Sequence, residues 1–123
     1  KDTIEDIRAY YSSQCIDRGV KTSLQVWVSG TAAVLTGRLA MHSEDVFQIL
    51  ESSPEVTTLV FLHVIGDVYP AQPTKGALVE MITAVKSRGY NTCVPSFGTV
   101  SGSAVLLFVA GAERFIAQGA QIF

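Results

Sequence analysis

The spacing of apolar and polar positions changes several times along this chain, and each change marks an element. Ile4, Ile7, Tyr11 and Cys15 recur at helical spacing behind Thr3 and Asp6, which have the form of a capping box, and Gly19 closes the segment. A helix is expected from about Ile4 to Asp17. From Ser23 to Ser29 the period drops to two, with Leu24, Val26 and Val28 alternating against Gln25, Trp27 and Ser29, as in a half-buried strand. Gly30-Thr31 supplies a turn, and Ala32 to Leu39 reads as a second strand interrupted by Gly37, so the pair predicts a hairpin. Ser43 then stands as a helix cap with Glu44 and Asp45 in the first turn, where the helix dipole favours acids. Val46, Phe47 and Leu50 give that helix its apolar side, and Ser53-Pro54 ends it.

Thr57 to Val64 is a continuous β-branched and aromatic run, the pattern of a strand covered on both faces and hence of a parallel sheet. Gly66 to Pro73 reads as a loop. A helix is expected from Thr74 to about Ser87, with Ala77, Leu78, Met81, Ile82 and Val85 on one side and Arg88-Gly89 as its stop. Thr92 to Pro95 predicts a short strand, and Arg114 to Ala117 and Ala120 to Phe123 two further short apolar segments. The order is helix, hairpin, then helices and strands in alternation, which implies an α/β fold with right-handed crossovers.

Length and composition narrow this picture. The 123 residues make one domain, with an N-terminal helix within 1–20 and a core over 23–123. With 48% hydrophobic and 16% charged residues the chain is apolar for a small soluble protein, which implies buried subunit contacts or membership of a larger fold. A net charge of -2 with no basic stripe argues against a nucleic-acid partner. The longest uncharged stretch, Asn91 to Ala112, carries Pro95, Gly98, Gly102 and Gly111, so it reads as strand, turn and buried helix rather than a transmembrane segment. Opening on Lys1, the chain is expected to be a processed or excised piece. Cys15 and Cys93 have no metal-ligand or CxxC spacing; they are either two separate buried thiols or a disulfide pair. Nothing implies a metal or an organic cofactor.

The chemistry concentrates in Gly98 to Gly111, where a turn of small residues passes into an apolar run. A hydroxyl delivered there meets unpaired helix N–H groups that favour developing negative charge. Ser101, with Ser103 as second choice, is therefore a candidate nucleophile; the alternative is that Ser101 caps the helix. The two histidines are His42, ahead of a helix cap, and His63, at a strand end.

From Ala32 onward the motifs resemble the Clp protease/crotonase superfamily, and most closely its branch of periplasmic Clp-like serine proteases. The segments carrying the likeness are VLTGRLAMHSEDVFQILESSPEVTTLVFLHV, GALVEMITAVKSRGYNTCVP and SGSAVLLFVAGAERFIAQGAQI. The resemblance implies a spiral of β-β-α units with a mostly parallel sheet flanked by helices. It also implies a serine hydrolase acting on a peptide or acyl substrate, homo-oligomeric assembly, and a periplasmic or secreted location, the alternative being cytoplasmic.

Three departures bear on activity. Where the family has a glycine pair whose backbone N–H groups bind the oxyanion, this chain has Gly66 and Asp67, and an inward Asp67 carboxylate would be repulsive there. Aligned without gaps on the helix, the family's nucleophile falls on Gly102; a one-residue shift gives Ser101, and the Ser-Gly pair then resembles signal-peptide-peptidase-like relatives. The family's base is a histidine at the end of the strand after the nucleophile, about where this chain stops at Phe123, so truncation at the C-terminus is expected. His63 is the nearest substitute for that base, and a Ser–Lys arrangement would need Lys75 or Lys86. The resemblance therefore implies a hydrolase domain that is incomplete or degenerate, or else a non-catalytic member used for assembly or ligand binding. Acyl-coenzyme A binding has less support, because the relevant loops lack basic residues.

Overall fold

The computed structural model describes residues 24–40 and 45–123. The expected helix over Ile4 to Asp17, Cys15, His42 and the Ser43 cap lie outside the described residues. Within them the alternating segment forms β1 (Gln25–Ser29), joined through Gly30-Thr31 to β2 (Ala32–Arg38) as an antiparallel hairpin. Helix α1 (Asp45–Glu51) follows, then β3 (Thr58–Ile65), α2 (Gln72–Arg88), β4 (Asn91–Val94), β5 (Thr99–Ser101), α3 (Ala104–Val109), β6 (Arg114–Ile116) and β7 (Gln121–Ile122).

One mixed sheet holds all of these strands. The β1–β2 pair is antiparallel, while β3 pairs in parallel with β2, β4 and β5, β4 with β6, and β5 with β7. β3 is the strand where the sheet divides. Thr58 to Val60 pair with β4, and His63 to Ile65 pair with β5. The division coincides with a bulge in β3: Leu35 of β2 lies opposite Phe61 and Thr36 opposite His63, so Leu62 is the extra residue.

The unbroken apolar run of β3 has the consequence its composition predicts: both faces are buried. On one face Leu59, Phe61 and Val64 join Leu35, Val94 and Val100 in the main core with Phe47 and Leu50 of α1, Met81 and Val85 of α2, and Leu107 and Phe108 of α3. Phe61 and Phe108 meet edge to face at 5.8 Å, the arrangement favoured by aromatic quadrupoles. On the other face Val60 and Leu62 pack with Val34, against half-buried Trp27 and Ala32. Burying each such side chain contributes about 1.5–3 kcal/mol, which makes β3 the strand the domain is least able to lose.

Helix α2 begins two residues ahead of the expected Thr74. Pro73 sits inside its first turn, where the missing N–H costs nothing and the fixed φ suits the helix. The helix ends as expected, on Gly89 in the left-handed conformation, whose N–H donates to the Lys86 carbonyl.

Candidate functional site

Three chain segments converge at the carboxyl end of β3: the end of β2, the loop after β3, and the turn between β5 and α3. Backbone groups hold them together. Leu39 N–H donates to the Ile65 carbonyl at 2.8 Å, Gly66 N–H to the Ser101 carbonyl at 3.0 Å, and Ser103 N–H to the Asp67 carbonyl at 3.3 Å. The last two bonds run in opposite directions between the loop and the turn and clasp them to each other.

Glycine makes this approach possible. Gly102 lies between the two serines with φ 62°, and a β-carbon on it would collide with the Gly66 carbonyl oxygen. A β-carbon on Gly66 would collide with Ser103 Oγ and stand 2.8 Å from the Ala104 nitrogen. Strand, left-handed residue and helix together form an elbow whose apex, Gly102, has no side chain.

The two candidate nucleophiles have different surroundings. Ser101 is the last residue of β5, half-buried and in register with Ile65, because its carbonyl extends the ladder by accepting from Gly66. It does not cap α3, which begins at Ala104 and has its cap position at Ser103. Ser103 holds the cap position, with φ −65° and ψ −16°, yet its side chain makes no capping bond. Its Oγ is buried without a hydrogen-bond partner.

His63 shares a sheet face with Ser101. The register sets His63 beside Thr36 and Thr99, and Ile65 beside Arg38 and Ser101, all turned away from Val64 and Val100 of the core. Strand spacing and rise place His63 and Ser101 on a diagonal of about 8 Å between α-carbons. Among the described residues no hydrogen bond joins the imidazole to either serine; the bond at His63 is to its carbonyl, from Thr36 Oγ1 at 3.3 Å. Half-burial holds the His63 imidazole below its ordinary range by desolvation, which keeps it neutral near pH 7.

Of the two expected oxyanion donors, Gly66 and Asp67 N–H, the first is committed elsewhere. The Gly66 N–H points at the Ser101 carbonyl and is already satisfied. The Asp67 carboxylate is drawn outward to Arg38, Oδ1 to Nη1 at 2.7 Å, so it does not project toward the turn. Arg38 carries no local sequence signal of this role; its partner lies 29 residues away and meets it only because β2 and β3 end together. Lys75 and Lys86 are exposed on α2. Cys93 has a half-buried free thiol whose pKa burial pushes up, the opposite of what a reactive cysteine needs. Among the described residues no group of three His, Cys, Asp or Glu could hold a metal ion, and no helix is long and apolar enough to cross a membrane.

Comparison of the chain with known protein families, curated proteins and solved structures finds no match.

Proposed function

We propose that this chain is a Clp-like serine-hydrolase domain in degenerate form, which does not hydrolyse with its own residues and serves homo-oligomeric assembly. The observation that carries this reading is the elbow apex. Position 102, where the gap-free resemblance puts the nucleophile, is a left-handed glycine whose missing β-carbon is required by the Gly66 carbonyl. The commitment of the Gly66 N–H to Ser101 and the unpartnered Ser103 hydroxyl agree with it. Assembly is supported by exposed apolar side chains on the outer strands, among them Phe115 and Ile116 on β6 and Ile122 on β7. The resemblance carries a periplasmic or secreted location with it.

A fluorophosphonate probe tests the chemistry. The expected result is no labelling of the chain, and labelling that disappears in Ser101→Ala overturns the reading. That outcome would favour the second possibility, a hydrolase using Ser101, for which the shared sheet face of His63 and Ser101 is the supporting observation. Light scattering tests assembly: a species larger than one chain is expected, and a monomer at high concentration removes that part of the proposal.

A further inference from the structure

The loop after β3 and the elbow are held by contacts of unequal kinds. Two backbone bonds close the clasp from inside, and one ion pair, Arg38 to Asp67, braces it from outside. Asp67 takes part in both, its carbonyl accepting from Ser103 N–H and its carboxylate receiving Arg38. The closed arrangement also carries a penalty, because Ser103 Oγ is buried without a partner beneath Gly66. A buried hydroxyl that forgoes water without a replacement bond is an exception among folded proteins, and moving the loop away would restore its hydration. Closure thus gains the clasp and forgoes the hydration of one hydroxyl.

We propose that Arg38 is the positioning residue of this clasp: through Asp67 it holds the loop over the elbow, and loss of the ion pair releases the loop and wets Ser103. The elbow is regulated in this way from the end of β2, which also pairs with Ile65 just ahead of the loop. The inference rests on reading 101–103 as an elbow, and its test is independent of whether that elbow hydrolyses anything.

Amide hydrogen exchange on the full chain reads it directly. In Arg38→Ala the Gly66 and Ser103 amides should exchange about two- to fivefold faster, the range of an exposed ion pair, while the Phe61 amide in the middle of β3 keeps its rate. Raised salt should speed the same two amides in the wild type and not in the variant. The charge-swapped double variant, Arg38→Asp with Asp67→Arg, should return them toward the wild-type rate. Unchanged exchange at Gly66 and Ser103 in Arg38→Ala overturns the proposal. So does uniform acceleration that includes Phe61, since Arg38 would then support only the fold. Fluorophosphonate labelling of the wild type would overturn the preceding functional reading and leave this result standing.

Discussion

Replacing Ser103 by alanine should stabilise the domain, against the usual expectation for a serine at a helix N-cap. Loss of a working Ser cap costs about 0.5–2 kcal/mol because a backbone N–H is left without its acceptor. Here no such bond exists, so that cost does not arise. What the substitution removes is a buried hydroxyl with no partner, whose desolvation costs about 1–3 kcal/mol. Against this stands the lost packing of one oxygen under Gly66, a few tenths of a kcal/mol on the scale of single atom contacts. The net is a gain of about 1 kcal/mol. With a urea slope of about 1–2 kcal/mol per molar, the unfolding midpoint should rise by about 0.5–1 M with the slope unchanged. A midpoint that falls would refute the reasoning, since it would mean that the Ser103 hydroxyl finds a partner in solution or caps α3 after all.

The remaining predictions follow from the same packing. Gly102→Ala should cost more than about 2 kcal/mol, combining left-handed strain with the collision at the Gly66 carbonyl. Gly30→Ala, at φ 62° with no atom within 4 Å of the added carbon, is the control and should cost about 1 kcal/mol; equal losses in urea melts would remove the steric part. Thr92→Val should cost about 1–2 kcal/mol in the same assay, because the buried Thr92 Oγ1 donates to the Phe108 carbonyl at 2.7 Å and valine keeps the shape without the bond. His63 has a folded pKa below its ordinary 6.5, so the unfolded chain takes up the proton first as pH falls. Stability should therefore drop between pH 6.5 and the lower folded value, and the difference between wild type and His63→Gln should show that slope; a pH-independent difference contradicts it.

The strands and their pairing were legible where a single period ran unbroken. The two-sided run over Leu59 to Val64 states its burial in the residues themselves, and the stop at Gly89 needs only the local backbone. The alternation over Val26 to Ser29 gives the strand but not its burial, because Trp27, set on the polar side, packs half-buried against Val34, Val60 and Leu62. The start of α2 was missed by two residues because Pro73 reads equally as a loop residue and as a first-turn residue, and only the path from Asp67 decides between them. The elbow was legible as a place and illegible as an arrangement. Ser101 reads locally as a nucleophile or a cap for α3, but the helix begins two residues later than a cap at Ser101 requires, and the Ser101 carbonyl is held by Gly66, a contact across 35 residues that no local pattern records. Arg38 was unreadable for the same reason: a charged residue at a strand end looks solvated until the neighbouring strand is known to end beside it.

The divided strand β3 has a consequence for how the chain acquires its structure. Among the described residues both outer branches, β4 with β6 and β5 with β7, join the hairpin only through it. Parallel pairing over such separations is entropically slow, and neither branch has a template until β3 is extended. Truncating Leu59 should therefore slow refolding in step with the stability it removes, whereas truncating Ile116 at the far end of one branch should chiefly hasten unfolding. The strand that divides the sheet in space would then also set the order of its assembly in time.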